Sequence, residues 1–202
     1  MNYSVLTDIG RMRSQNQDAV FATEETIGSL PNLFVVADGM GGHKAGEYAS
    51  SQAIALAKRE IASDTGSEPV QIINQGITAA NKSIYEEATQ DEDKYGMGTT
   101  MVVATLLEDH LCVANVGDSR LYVYRDGQLS QITQDHSVVG EMVRKGEMPK
   151  EEARSHPKRN LITRAVGAEA EVRVDFFDET LQAGDLVLMC TDGLTSIVEE
   201  SE

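Results

Sequence analysis

Cationic side chains are scarce in this sequence: 17 lysines and arginines stand against 33 aspartates and glutamates, a formal net charge of -16. Binding to nucleic acid or to an anionic membrane face draws on released counterions and clustered Lys and Arg, so this balance argues against both partners. Cysteine is scarcer still. Cys112 and Cys190 each sit in an apolar run, with no CxxC spacing, and read as reduced core residues rather than as a disulfide or zinc pair. The four histidines, His43, His110, His136 and His156, share no HxxxH or HxH spacing. An imidazole zinc site is therefore not expected, and a metal would have to be held by carboxylates. No stretch approaches the ~20 apolar residues that span a bilayer, and residues 1–10 show no basic segment followed by an apolar run. A soluble, cytoplasmic protein is the expectation.

What is present suffices for one domain: 202 residues, of which 41% are hydrophobic. Short β-like runs are expected at residues 2–8, 18–23 and 32–37, followed by two helices. The first, over 45–61, has Ala45, Ala49 and Ala53 on a narrow small-residue face suited to close packing. The second, over 69–88, repeats Val70, Ile73, Ile77, Ala80 and Ile84 at spacings of three and four, with Pro69 in the first turn. From Thr99 to Thr133 the runs TTMVVATLL, LCVANVG, RLYVYR and QLSQIT predict an antiparallel meander, with Asp126-Gly127 as an ordinary hairpin turn. Helical patches follow around 138–145 and 150–155, and strands return at 172–177 and 186–190. The two long helices are consecutive, so the grouping is α+β, with two antiparallel sheets covered by helices.

Four short stretches carry the chemistry. Gly10-Arg11-Met12-Arg13-Ser14-Gln15-Asn16-Gln17-Asp18 sets an arginine five residues before an aspartate at a strand edge. Asp38-Gly39-Met40-Gly41-Gly42-His43 closes an apolar strand with an acid, and its glycines let backbone approach a ligand. Asn115-Val116-Gly117-Asp118-Ser119-Arg120 joins two strands, and Cys190-Thr191-Asp192-Gly193-Leu194 repeats the Asp-Gly at the end of an apolar run. A carboxylate at the end of a core strand is costly unless a cation neutralises it, and here Asp38 and Asp192 do this far apart in sequence.

In this order, these stretches resemble the metal-dependent type 2C protein serine/threonine phosphatases, in particular their compact bacterial members. Gly98-Thr99-Thr100, Asp135-His136-Ser137 and 160–167, NLITRAVG, fall in the family's order as well, so the resemblance spans nearly the whole chain. It implies an αββα sandwich with a metal cluster in a cleft at one end of two sheets. It implies Asp38 as the carboxylate bridging two metal ions, the Gly39 carbonyl as a ligand of one, and Asp192 as a ligand of the other. Asp18 matches a position acting through metal-bound water, Asp118 the ligand of a third and weaker ion shared with Asp192, and Arg13 the arginine that holds substrate phosphate. Guanidinium suits that last task because its fork donates two parallel bonds.

Oxygen-only coordination selects Mg2+ or Mn2+, and a metal-activated bridging water then attacks phosphorus without a phosphoenzyme. His43, the only histidine inside the core motifs, is either the proton donor to the leaving alkoxide or structural. Some members carry histidine directly after the Asp-Gly, where this chain has Met40.

The resemblance makes 135–167 a flap beside the site. Arg144, Lys145, Lys150, Arg154, Lys158, Arg159 and Arg164 outnumber the five acids there, a positive patch on an acidic protein or simply a solvated loop of mixed charge. The family's closing Asp-Asn motif has no counterpart before Glu202, so residues 1–202 are expected to form one phosphatase domain truncated at its C-terminus, with 197–202 helical. The implied partners are phosphorylated proteins, with a serine/threonine kinase opposed and the protein itself monomeric. The alternative is a pseudophosphatase or regulatory phosphoprotein-binding domain without turnover, which the absent carboxylate would permit.

Overall fold

In the computed structural model, which describes residues 1–42 and 45–200, the strand Leu33–Met40 (β2) alternates buried and half-buried side chains without a break. Leu33, Val35 and Ala37 point into a core shared with two long helices, whereas Phe34 packs into a second core between two sheets. The strand needs both faces covered, and this makes the architecture layered.

The first sheet has the order β1-β2-β4-β5-β8, built from Asp18–Thr23 (β1), β2, Met101–Leu107 (β4), His110–Val116 (β5) and Asp175–Thr180 (β8). The short Gly98–Thr99 (β3) pairs with the end of β2. The second sheet has the order β7-β6-β9, from Gln128–Gln131 (β7), Arg120–Arg125 (β6) and Leu186–Cys190 (β9). All named pairings are antiparallel. The result is the expected α+β sandwich of two facing sheets with flanking helices, of αββα type.

The helices Ala45–Ser63 (α1) and Pro69–Gln90 (α2) pack on each other and on the first sheet. Ala49, Ala53 and Ala57 are almost fully buried on one stripe of α1. Small side chains let this helix approach β2 closely: a Cβ on Gly46 would lie 2.4 Å from Gln17 Nε2 and 2.9 Å from the Gly39 carbonyl. Pro69 opens α2 at its first turn, where the missing N–H costs nothing. The short helices Val138–Arg144 (α3) and Lys150–Ala153 (α4) pack together, and Asp192–Thr195 (α5) follows β9.

Four sequence expectations are corrected. Residues 2–8 form no strand: the segment lies across the sheet, with the Tyr3 ring edge-on to Phe34 at 5.6 Å, and β-propensity without a hydrogen-bonding neighbour yields only extended chain. The meander is split, because β4-β5 belong to the first sheet and β6-β7 to the second. The strand expected at 172–177 starts at Asp175, where pairing with β5 begins, while Val172 and Val174 pack against the larger core. Beyond Thr195 the chain goes into turns and bends rather than a tail helix, and residues 201–202 lie outside the described residues. The hairpin at Asp126-Gly127 is as expected, with positive φ at both residues (50° and 82°).

The small-residue stripe predicts a steep cost for bulk. Ala53→Leu forces an isobutyl group between α1 and its neighbours and should destabilise by about 1–3 kcal/mol. Thermal unfolding checks this, with each kcal/mol worth roughly 2–4 °C in a chain of this size.

Candidate active site

Asp18 and Asp38 face each other directly across the β1-β2 ladder. Asp38 also lies on the β2 face that looks toward the second sheet. Opposed like charges on neighbouring strands are destabilising, so this register carries a cost that the ladder alone does not explain. Asp118 sits in the link between β5 and β6, where the chain leaves one sheet for the other. Asp192 opens α5 at the end of β9, in the second sheet. Four half-buried carboxylates from three parts of the sandwich thus meet at one end of the two sheets. Strand and helix termini at that end turn side chains inward without burying a loop.

Their charges act on one another. Burial, then the neighbouring Asp18, Asp192 and Asp118, push the Asp38 carboxyl up to about 8. Burial, then Asp135 and Asp192, push Asp118 up to about 6. Asp18 is raised by burial as well, although a 2.8 Å bond from Thr191 Oγ1 to its Oδ2 holds it back, and the Arg13 guanidinium lowers it further. Arg13 itself is exposed, within electrostatic reach of Asp18.

The backbone around these groups is tightly held. The Gln17 carbonyl accepts from Gly39 N at 3.0 Å and from Ser50 Oγ at 2.7 Å, tying β1, β2 and α1 together next to Asp18 and Asp38. No side chain fits at Gly39, where a Cβ would lie 1.9 Å from the Gly46 carbonyl oxygen. On the other side, Arg120 grips Asp135 through two parallel bonds of 3.0 and 2.7 Å. His136 is buried, accepts from Gly117 N through Nδ1 at 3.0 Å, and meets Asp175 Oδ2 through Nε2 at 3.0 Å. Burial lowers its pKa, so the neutral ring is favoured.

The structure therefore brings together Asp18, Asp38, Asp118 and Asp192, with Gly39 adjacent and Arg13 at the rim. His43 lies outside the described residues. Strand β2 does not end at Asp38 but runs through Gly39 to Met40, because β3 continues the pairing there. Sequence reading missed Thr191, Asp135 and the hydroxyls of Thr99, Thr100 and Ser119 as parts of the site. All five lie inside stretches quoted from the sequence, but their roles come from contacts made across the fold.

The donor set is anionic oxygen, which fits hard divalent cations. Among the described residues, no group of three or more His, Cys, Asp or Glu side chains is placed so that it could hold a metal ion as it stands. Burial and neighbouring acids raise Asp38 and Asp118, as expected of carboxylates that share one cleft. Beside it opens a groove of ≈ 720 Å³, with Asp118 and Asp192 on one side and Arg144, Lys150, Arg154 and Arg159 on the other. Lys150 and Arg154 reach across to Glu200 and Glu199, at 2.6 and 3.3 Å.

Known proteins resemble this chain in sequence and fold. The sequence profile of the family "Protein phosphatase 2C" matches residues 4–142. A serine/threonine phosphatase of Listeria welshimeri, Stp, is 41% identical over 208 aligned positions, covering 100% of this chain and 81% of its own length. The crystal structure of the serine/threonine phosphatase Stp1 from Staphylococcus aureus superimposes with a TM-score of 0.88 at 38% identity, over 96% of this chain and 77% of that one. The catalytic domain of the serine/threonine phosphatase PstP, solved in complex with two manganese ions, has a TM-score of 0.78 at 35% identity, over 95% and 77%.

The clustered carboxylates predict an inverted response to pH. Folded and metal-free, Asp38 keeps its proton to about pH 8, whereas in the unfolded chain it loses it near its ordinary value of 3.8. The folded state binds more protons in that interval, so its stability is highest at the acid end and falls as pH rises toward 8. Calorimetry of the metal-free protein should show a lower melting temperature at pH 8 than at pH 5. Asp38→Asn should flatten that slope and, for about 1 kcal/mol, raise the pH 8 value by roughly 2–4 °C. An equally steep slope in the variant would assign it to other groups.

Proposed function

Starting from the protein phosphatase 2C family, to which this chain belongs, we propose that it hydrolyses phosphoserine and phosphothreonine in proteins at the four-carboxylate cleft, with Mg2+ or Mn2+ bound there. The chain is a protein serine/threonine phosphatase, and its substrates are phosphoproteins. The observation that carries the metal-dependent reading is the convergence of Asp18, Asp38, Asp118 and Asp192, where burial and then neighbouring acids raise the carboxyls of Asp18, Asp38 and Asp118.

In this reading Asp38, Asp192 and the Gly39 carbonyl would hold two divalent cations. Asp18 acts through water, which agrees with its place at the cleft edge under the Thr191 hydroxyl. Asp118, with Asp192, offers a third and weaker position. When bound, such a pair of cations acidifies water and shields the phosphoryl oxygens in an in-line displacement. Arg13 orients the substrate phosphate through its planar fork and places phosphorus over the carboxylate cluster. His43 is the proposed source of the proton for the leaving alkoxide.

Residues 135–167 are proposed as a flap within this single phosphatase domain, lining much of the ≈ 720 Å³ groove beside the carboxylates. The same reading makes the protein a cytoplasmic monomer acting against a serine/threonine kinase. No helix among the described residues is long and apolar enough to cross a membrane.

A phosphothreonine-peptide assay tests this. Turnover should vanish in EDTA and return with Mn2+, and Asp38→Ala should abolish both turnover and Mn2+ binding. Arg13→Ala should instead raise KM while leaving calorimetric Mn2+ affinity close to that of the parent. Undiminished turnover in EDTA, or loss of Mn2+ binding in Arg13→Ala alone, would reverse the assignment.

A further inference from the structure

Thr100 stands between strand β2, which carries Asp38, and the β5-β6 link, which carries Asp118, and it touches both. Strand pairing is interrupted at this residue: β3 ends at Thr99 and β4 begins at Met101. In the gap, the Asp38 N–H finds its acceptor in the Thr100 side chain, with Oγ1 at 2.9 Å. The Asp38 carbonyl accepts from Thr100 N and from Thr99 Oγ1, each at 2.9 Å. Both backbone polar groups of Asp38 are thus fixed by two consecutive threonines.

The other side of Thr100 faces the β5-β6 link. Its Oγ1 shares a 2.7 Å hydrogen bond with Ser119 Oγ, the residue after Asp118. Its methyl lies against Gly117, the residue before Asp118: a Cβ there would come within 2.6 Å of Thr100 Cβ and Cγ2. Gly117 has φ +107°, which few other residues adopt without strain. Thr99, Thr100 and Ser119 are all buried, at 0%, 3% and 0% exposure, so these bonds do not compete with water.

We infer that Thr100 is a positioning residue, whose hydroxyl and methyl together set the separation of Asp38 and Asp118 and so the geometry offered to divalent cations. Valine would preserve shape and burial but leave the Asp38 N–H without its acceptor and cut the link to Ser119. Serine would keep both bonds and lose only the methyl. A residue needed for packing alone would respond in the opposite order, tolerating valine better than serine. This inference rests on the metal-dependent reading above, but the clamp also has a signature in the metal-free protein, the protection of one amide.

The experiment compares Thr100→Val and Thr100→Ser with the parent chain in three measurements: amide hydrogen exchange at Asp38 without metal, calorimetric titration of Mn2+, and kcat with KM for a phosphothreonine peptide. Thr100→Val should exchange faster at Asp38, bind Mn2+ about tenfold more weakly, and lose kcat with little change in KM. Thr100→Ser should lie near the parent in all three. Parental Mn2+ affinity and amide protection in Thr100→Val would overturn the inference, as would a serine variant no better than the valine one. Should Thr100→Val fail to fold, Ser119→Ala cuts the same link from the other side. Weakened Mn2+ binding there supports the inference, and unchanged binding overturns it. If the parent chain itself bound no Mn2+, the metal reading would fall, and the amide exchange alone would decide the clamp.

Discussion

Repulsion among half-buried carboxylates is the constraint on which this structure turns. Asp18 and Asp38 oppose each other across a ladder, and Asp192 and Asp118 are added from the second sheet and from the link between sheets. A fold selected for stability alone would place such groups in water, where they cost little. Here the backbone beneath them is fastened instead: by Gln17 and Ser50 on one side, by Thr99 and Thr100 at the centre, and by His136 on the other. The rigid scaffold holds the charges together.

The layers exist in the form this constraint requires. The alanine stripe of α1 draws the helix down onto β2, so that Gly46 and Gly39 nearly touch and the strand cannot shift away from its partner. The crossing from β5 to β6 at Gly117 brings the second sheet, and with it Asp192, over the same end of the sandwich. Arg120 leaves this crossing to bind Asp135, an acid outside the cluster, and its charge offsets the upward shift of Asp118 only in part. The clefted end is therefore acidic while the groove beside it presents Arg144 and Arg159, a polarity suited to a phosphorylated segment entering past the cations of 135–167.

Much of this was legible in the sequence, for local reasons. The periodicity of Ile73, Ile77, Ala80 and Ile84 gave the second helix, Asp126-Gly127 gave its hairpin, and the spacing of the Asp-Gly stretches singled out Asp38 and Asp192. What stayed hidden depends on residues distant in the chain. Nothing around residues 2–8 announces that no strand neighbours them, and RLYVYR does not reveal that it joins a different sheet from LCVANVG. Thr100 was visible only as part of a family stretch. Its contact with Asp38 spans 62 positions, and its bond to Ser119 exists only because the sheets close there. His136 likewise stood out only as part of a family stretch, and its buried contact is with Asp175, which is 39 positions away.

Without metal the cluster is short of positive charge, and the Asp38 carboxyl, raised to about 8, holds a proton in its place at neutral pH. Titrating Mn2+ into the metal-free protein at pH 7 in buffers of different ionisation enthalpy measures this directly, because proton release on binding appears as a buffer-dependent heat. The account predicts release of about one proton per chain, from the carboxyl raised to about 8, and none from Asp38→Asn. Binding heats that do not vary with buffer would contradict it.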